Sequence, residues 1–253
     1  MTDHFGQSAY GIRMEWGPVG AARAKAAITV VVDVLSFSTS VCVAVERGME
    51  VFPHPWRDER AESFAIERDA ILAVGRREAA SGDSGPTRPS LSPASLMTCV
   101  PTPRLVLPSP NGSSIAAAAE GTEVAAGCLR NAAAVAAWLS PQIESGQSVA
   151  IVAAGERWDS DDSLRPALED QLGAGAILAA LAATGHRLAM SPEAGAAADL
   201  FEVVRPALAE RIYASVSGRE LIAAEFEADV AIAAELSVSS AVPVLRNGAF
   251  TLA

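Results

Sequence analysis

The first residues suited to chemistry follow a buried apolar run. Ile28–Val32 is a continuous β-branched run, which is typical of a central parallel strand, and Asp33 stands directly after it. Ser38 and Thr39 then open a segment with helical spacing. Because a helix N-terminus presents free N–H groups and a partial positive charge, this segment suits a phosphate group. The alternative is that Ser38 and Thr39 only cap their helix.

Two further segments could hold an anion. Arg76 and Arg77 follow a predicted strand, and a guanidinium forms paired hydrogen bonds with phosphate or carboxylate; a solvated surface pair is the alternative. In residues 109–114, Asn111, Gly112 and Ser113 form a turn that could direct consecutive N–H groups at an anion. An ordinary turn between a strand and a helix explains the same residues.

Two adjacent carboxylates, Glu169 and Asp170, stand at the start of a predicted helix. They are hard oxygen ligands of the kind that Mg²⁺ takes, usually shared with waters and substrate phosphate. The alternative is that acids near a helix N-terminus stabilise the helix by roughly a few tenths of a kcal/mol and need no metal.

Several common catalytic signatures are missing from the chain. Cys99 and Arg104 are one residue too close for the phosphate loop of cysteine-dependent phosphatases. Leu35 stands where the haloacid-dehalogenase type of phosphatase would have a second Asp. The three histidines show no paired metal spacing, and no GxSxG elbow or dinucleotide fingerprint occurs.

The elements that would position these residues alternate along the chain. Apolar runs predict strands at 28–32, 50–53, 70–74, 105–107, 122–126 and 149–153. Helical spacing predicts helices at 38–47, 58–67, 114–119, 131–139 and 168–183. This alternation predicts an α/β fold, a three-layer α/β/α arrangement with a mostly parallel or mixed sheet, as a single domain over residues 1–253.

The remaining segments are less regular. Residues 82–103 are rich in Ser, Pro and Gly and predict a long irregular excursion, and residues 155–165 predict a polar loop. We expect residues 192–225 to be helical, with breaks near Pro206 and Gly218, and residues 242–245 to form a final edge strand.

Charge and composition restrict the class of protein. The net charge is −11 and Lys25 is the only lysine, so the chain lacks the clustered cations that nucleic acid requires. Three widely spaced cysteines, no secretory signal pattern in the first ten residues, and no apolar segment long enough for a bilayer predict a cytoplasmic protein.

Six short segments together resemble one family. They are VVDVLSFSTS at 31–40, GRRE at 75–78, SPNGSS at 109–114, GCLRNAAAVA at 127–136, AAG at 153–155 and ALEDQLGAG at 167–175. In this order and spacing they resemble the 2-phosphosulfolactate phosphatase family, a magnesium-dependent group associated with coenzyme M biosynthesis.

The resemblance implies a Mg²⁺-dependent hydrolysis of a small anionic phosphate monoester. It implies that catalysis and metal binding fall to Asp33, Glu169 and Asp170. It implies that substrate is bound by Ser38, Thr39, Arg76, Arg77, Asn111, Gly112, Ser113 and Asn131. Asn131 could fix either the neighbouring loop or a substrate oxygen. No nucleic acid or membrane partner is expected, and a homodimer is compatible with the sequence.

The chain departs from the family pattern at several positions. Ser36 stands where the family usually has Arg, Phe37 where it has a small residue, and Ser113 where it has Thr. The family usually has Asn before Ser-Pro in the central loop, whereas residues 90–93 of this chain read Ser-Leu-Ser-Pro. Losing a guanidinium removes one anion-binding charge, worth about 1.5–3 kcal/mol if it contacts substrate. A phosphatase for a different phosphoester and a catalytically silent phosphometabolite-binding protein therefore stay open as alternatives.

Overall fold

A computed structural model describes residues 5–55, 59–80, 88–119 and 121–253. Its strands are β1 Ile12–Trp16, β2 Ile28–Val32, β3 Glu50–His54, β4 Ile71–Leu72, β5 Arg104–Pro108, β6 Glu123–Gly127, β7 Val149–Ala153, β8 Glu156–Arg157, β9 Leu164–Arg165, β10 Pro243–Arg246 and β11 Ala249–Leu252.

The helices alternate with these strands in the first two thirds of the chain and follow one another after β9. They are α1 Gly17–Ala24, α2 Phe37–Glu46, α3 Glu59–Glu67, α4 Arg76–Ala80, α5 Pro93–Thr98, α6 Gly112–Ala118, α7 Ala132–Glu144, α8 Leu168–Ala183, α9 Pro192–Val204, α10 Leu208–Ala214, α11 Val216–Ala223 and α12 Glu227–Ala233. Short 3₁₀ turns at His186–Ala189 and Arg205–Ala207 flank α9.

Within the described residues the main sheet has nine strands in the order β1-β7-β2-β6-β10-β11-β3-β5-β4. Strands β1, β7, β2 and β6 are mutually parallel, as are β3, β5 and β4. The antiparallel hairpin β10–β11 lies between these two groups, antiparallel to β6 on one side and to β3 on the other. The sheet is therefore mixed, as predicted.

The two parallel groups run in opposite senses across the hairpin. The segment after β5 nevertheless reaches the loop after β2, because the Gly112 N–H donates to Asp33. The loops after β2 and β7 are joined by Asp170, which accepts the N–H groups of Val34 and Gly155.

Helices cover both faces of the sheet and bury two cores. Ile28, Val30 and Val32 face the core formed with α7, α8 and α9, whereas Val31 faces the core that contains Phe37 of α2. The alternation follows from the two-residue period of a strand, and it explains why β2 is apolar throughout. This three-layer α/β/α arrangement confirms the predicted fold class.

Several predicted elements are confirmed to the residue. The strands at 28–32 and 149–153 and the helix at 168–183 have the predicted bounds. Helix α2 begins at Phe37, one residue earlier than predicted, and ends before Gly48, which has the left-handed φ of +81° expected after a helix.

Other predictions were wrong in position or type. Residues 243–246 pair on both sides inside the sheet, so the predicted edge strand is an interior one. The predicted polar loop at 155–165 contains the two-stranded ribbon β8–β9. Of the irregular segment predicted at 82–103, residues 82–87 lie outside the described residues, and the rest contains α5. The break predicted near Gly218 occurs at Ser215, whose side chain accepts a hydrogen bond from the Gly218 N–H and caps α11.

The sequence analysis also missed five elements, β1, α1, α4, α12 and β11. Across the described ranges, no helix combines the length and the apolar character needed to cross a membrane.

Candidate active site

Asp33 lies at the carboxyl end of β2 and joins two loops through its carboxylate. The N–H of Phe37, at the start of α2, donates to Oδ1 at 3.0 Å, and the N–H of Gly112, at the start of α6, donates to Oδ2 at 3.1 Å. The N–H of Ser38 donates to the Asp33 carbonyl oxygen at 2.8 Å. The first N–H groups of α2 are therefore satisfied by Asp33 itself, and the anion that this helix start holds is the protein's own carboxylate.

Asp170 joins two further loops in the same manner. It lies in the first turn of α8, where Oδ1 accepts the Val34 N–H at 2.7 Å and Oδ2 accepts the Gly155 N–H at 2.8 Å. Val34 directly follows Asp33, so the carboxylates of Asp33 and Asp170 meet at one loop. Residues far apart in sequence thus converge, as the predicted site requires.

Glu169 and Glu156 complete a group of four carboxylates with Asp33 and Asp170. Glu169 is 2 % exposed and, among the described residues, its carboxylate has no hydrogen-bond or ion-pair partner. Glu156 begins β8, directly after the Gly155 N–H that binds Asp170. Burying an ionised carboxylate without a cation beside it is costly, so four carboxylates in one buried region oppose one another's ionisation.

The pKa values of three of these acids record that cost. Burial raises the pKa of Asp33 to about 6, against the opposing effect of its two backbone hydrogen bonds. Burial, followed by the negative charge of Asp33, raises the pKa of Glu156 to about 7. Burial and the charges of Asp33 and Glu169 raise the pKa of Asp170 well above its ordinary range. The acids are thus close enough to oppose one another's ionisation.

Arg76 brings a positive charge to this group. Its Nε donates to Oδ2 of Asp229 at 3.1 Å, its Nη2 donates to the hydroxyl of Ser36, and its charge lowers the pKa of Asp33. Asp229 is buried and also accepts from Ser92 Oγ and from the Ala94 N–H. The ion pair therefore fixes α4, α5 and α12 relative to one another and holds the guanidinium beside Ser36, the position where the family usually has Arg.

The turn at 111–113 lies beside the carboxylates. Asn111 Nδ2 donates to Oε2 of Glu156 at 3.0 Å, and the Gly112 N–H binds Asp33. A Cβ added to Gly112 would lie 2.1 Å from a ring carbon of Phe37, so the close approach requires glycine there. Ser113 Oγ is buried and has no hydrogen-bond partner in the described part of the chain. Its hydroxyl is available to a ligand or a water molecule.

Three predicted binding residues have other positions. Ser38 donates to the Val31 carbonyl and accepts the Asp33 N–H, and Thr39 donates to the Val34 carbonyl; both are fully buried. These hydroxyls tie the loop after β2 to its strand instead of capping the helix or facing a ligand. Arg77 is exposed, unlike its neighbour Arg76.

Asn131 is fully buried and holds a loop in place. Its Nδ2 donates to the carbonyls of Ala126 and Ala241, and its Oδ1 accepts the Cys128 N–H. Of the two roles predicted for Asn131, the structure shows the first, since the side-chain amide connects β6 to the segment before β10.

A cavity of about 250 Å³ lies beside Glu156, the one of the four acids that lines it. Its other polar lining residues are Asn111, Arg157, Asp162 and Ser163. Trp16, Pro18, Val19, Ala154 and Leu164 supply an apolar wall. Leu164 of β9 packs against the backbone of Gly17 and Gly155, so the β8–β9 ribbon forms part of this wall. The cavity can hold the organic part of a small molecule whose charged end faces the acids.

Sequence reasoning missed Glu156, Asp229 and Ser92 as parts of the site. Glu156 carried a usable signal, because it follows the AAG segment at the carboxyl end of the predicted strand 149–153. No sequence signal pointed to Asp229, because its partner Arg76 is 153 residues away and α12 was not predicted.

A comparison with models of known families identifies the family of this chain. A model of the family described as 2-phosphosulpholactate phosphatase matches residues 19–248, a range that includes the four carboxylates, Arg76 and the 111–113 turn. A search of curated proteins gives no match. The chain therefore belongs to the 2-phosphosulfolactate phosphatase family, whose members are phosphoric monoester hydrolases.

Proposed function

We propose that the protein hydrolyses a small phosphate monoester with the help of Mg²⁺, and that the reference reaction converts 2-phosphosulfolactate to sulfolactate and phosphate. The observation that carries this proposal is the convergence of Asp33, Glu169 and Asp170 with Arg76 and the 111–113 turn in one buried region. Phosphoryl transfer depends chiefly on positioning and on neutralising charge, which such a region supplies.

The donor set fits a magnesium ion that keeps most of its waters. Within the described residues no three His, Cys, Asp or Glu side chains are arranged as a preformed metal cage. Mg²⁺ usually takes only one or two carboxylates together with water and phosphate oxygens, so such a cage is not required. Glu169, whose buried carboxylate has no partner among the described residues, would be a direct ligand, with Asp33 or Asp170 beside it. The ion would offset the negative charge of the phosphoryl group.

Side chains of the protein would bind the phosphate, attack phosphorus or activate water, and protonate the leaving group. Arg76 keeps N–H donors beyond those bound to Asp229 and Ser36, and these can bind phosphate oxygens together with the free hydroxyl of Ser113. Asp33, with a pKa of about 6, is mostly ionised at neutral pH and can attack phosphorus or activate water. Glu156, with a pKa of about 7, can donate a proton to the leaving alcohol oxygen.

Phosphate release from 2-phosphosulfolactate and from simple alkyl phosphates tests the proposal. We expect turnover with Mg²⁺, loss of turnover in EDTA, recovery on adding Mg²⁺, and loss in Asp33→Asn. Asp159→Asn, which changes an exposed loop acid, is the matched control and should keep full activity. Turnover that persists in EDTA would exclude the magnesium role. Tight binding of a phosphate ester with no turnover would instead favour the silent binding protein.

The role of Glu156 has its own test. In Glu156→Gln, kcat should fall by about 10²–10⁴ for alkyl phosphates, whose poor leaving groups need a proton. It should fall far less for 4-nitrophenyl phosphate, whose leaving group needs none. Equal losses for both substrates would show that Glu156 positions other groups and does not donate the proton.

A further inference from the structure

We propose that Arg157, on the β8–β9 ribbon, binds an acid group on the alcohol part of the substrate and thereby selects phosphate monoesters that carry a second oxyanion. The acid can be a carboxylate or a sulfonate, since both present negatively charged oxygens to a guanidinium. The inference rests on the proposed phosphatase function and deepens it, because it assigns a residue of this chain to substrate specificity.

One cavity is lined both by the proposed proton donor, Glu156, and by Arg157. Glu156 accepts a hydrogen bond from Asn111, which also lines the cavity, and the next residue of that turn, Gly112, donates to Asp33. The leaving oxygen of a phosphate ester is bonded directly to a carbon of its alcohol part. A substrate whose leaving oxygen meets Glu156 therefore has its alcohol part next to Arg157.

The charges around the cavity favour Arg157 as the group that binds an acid. Glu156 and Asp162 both line the cavity, and their negative charges would repel a substrate acid that has no cation beside it. Of the described residues that line the cavity, Arg157 is the one cation. An acid on the alcohol part would therefore be stabilised there only by this guanidinium.

The guanidinium of Arg157 keeps donors for a ligand. Its Nη1 donates to Oδ2 of Asp162 at 2.7 Å and to the Asp162 carbonyl oxygen at 3.4 Å. Its Nε and Nη2 have no hydrogen-bond partner in the described part of the chain. The Asp162 side chain is 73 % exposed, and an ion pair so open to solvent is weak. A substrate acid can therefore bind Arg157 through paired hydrogen bonds without breaking a strong interaction.

The other donors and the size of the cavity agree with this assignment. Nδ2 of Asn111 donates to Glu156, and both the hydroxyl and the N–H of Ser163 donate to Oδ1 of Asp161. At about 30 Å³ per water in the liquid, a space of about 250 Å³ corresponds to roughly eight waters. The cavity therefore has room for a short carbon chain with one or two acids, and its apolar wall can pack against that chain.

Four secondary phosphate esters isolate the contribution of each acid. Isopropyl phosphate carries no further acid, 2-phospholactate carries a carboxylate, 1-sulfopropan-2-yl phosphate carries a sulfonate, and 2-phosphosulfolactate carries both. For each acid ester, the quantity measured is kcat/KM in Mg²⁺ divided by kcat/KM for isopropyl phosphate. The acids also change the leaving group, but this effect is the same in every variant and cancels when the ratios of two variants are compared.

In Arg157→Gln the ratio should fall by about 10- to 100-fold for the esters whose acid contacts Arg157, chiefly through a higher KM. A fall confined to the esters with a sulfonate, or to those with a carboxylate, would support the inference and identify the acid. Arg157→Lys should keep part of the ratio, because lysine retains the charge but not the paired donors.

Two control variants separate binding from a structural role. Arg187→Gln should leave the ratio unchanged, because Arg187 has the same kind of exposed ion pair, 2.7 Å from Asp199, and does not line this cavity. Asp162→Asn removes the carboxylate that competes for Arg157, so the ratio should stay unchanged or rise. Asp162 has a left-handed φ of +57°, which asparagine tolerates.

The outcomes separate this inference from the proposed function. An unchanged ratio in Arg157→Gln would overturn the inference and leave the phosphatase function intact. An equal fall of the ratio in Asp162→Asn would also overturn it, since Arg157 would then act by shaping the ribbon. No hydrolysis of any of the four esters, in a native protein that is folded and supplied with Mg²⁺, would overturn the proposed function itself.

Discussion

Replacing Glu156 by glutamine removes one charge from the acidic group while keeping the oxygen that accepts from Asn111. In the native protein burial and the charge of Asp33 raise the pKa of Glu156 from 4.5 to about 7. The folded state therefore holds the proton more tightly than the unfolded chain. Ionising Glu156 costs stability, and the cost is absent below 4.5 and complete above about 7.

The size of this effect follows from the same values. An increase from 4.5 to about 7 corresponds to about 3 kcal/mol at about pH 8, where the carboxyl group is ionised in both states. At about pH 5 the native carboxyl group is protonated, and the cost falls to about 1 kcal/mol. Because Glu156 keeps some contact with solvent, screening makes these figures upper limits. Glu156→Gln should thus stabilise the protein by up to about 3 kcal/mol at the higher pH and by about 1 kcal/mol at the lower.

Urea unfolding followed by circular dichroism, in EDTA so that no cation offsets the charge, measures this difference. Glu144→Gln changes an exposed acid and is the matched control, for which we expect no change at either pH. A stabilisation of Glu156→Gln that is equal at both pH values would refute the reasoning. So would a variant less stable than the native protein at about pH 8, since Glu156 would then not carry an unfavourable charge.

Three further predictions concern the groups that hold the site together. Gly112→Ala should lower kcat/KM by about 10² or more, because the added Cβ would collide with Phe37 and displace the Gly112 N–H from Asp33. Phe37 has little room to move, since it is packed against Phe250. Steady-state kinetics on folded protein tests this prediction, and native-like kinetics would contradict it. Asp229→Ala should lower the free energy of unfolding by about 3–5 kcal/mol, because it leaves the Arg76 guanidinium and the Ser92 hydroxyl without the carboxylate that accepts from both. Urea unfolding measures the loss. A loss below about 1 kcal/mol would show that the Arg76–Asp229 pair is not buried in solution. Ser38→Ala should lower the free energy of unfolding by about 1–2 kcal/mol and leave KM unchanged, because the Ser38 hydroxyl donates to the Val31 carbonyl. A raised KM without a loss of stability would show that Ser38 binds substrate.

The sequence permitted a correct prediction of the elements whose pattern is local. Strand β2 is a short, wholly apolar run ending at Asp33, and α8 has sixteen residues of mostly Ala, Leu and Gly, so period and length identified both. Strand β1 and the hairpin β10–β11 were missed or misplaced because their place depends on pairing partners far away in the chain. β1 pairs with β7, more than a hundred residues later, and no local signal encodes such a pairing.

The candidate site was likewise predictable from the sequence only in part. The residue types at Asp33, Glu169, Asp170, Arg76 and the 111–113 turn, with their order, were enough to indicate an anion-handling enzyme and a family. The sequence could not tell that Ser38, Thr39 and Asn131 serve the scaffold, because a hydroxyl or an amide bonds equally well to backbone or to ligand until its neighbours are fixed.

By itself, the sequence determined the layered α/β fold, the strand ends that carry the acids, and the membership of the phosphatase family, since these depend on short-range pattern and on residue identity. The tertiary structure alone decided which acids share one buried space, that Glu156 joins them, and that Arg76 is paired with Asp229. Burial and nearby charges set the pKa values of these acids. Both depend on distances between segments that are far apart in the sequence, so the linear chain does not reveal them.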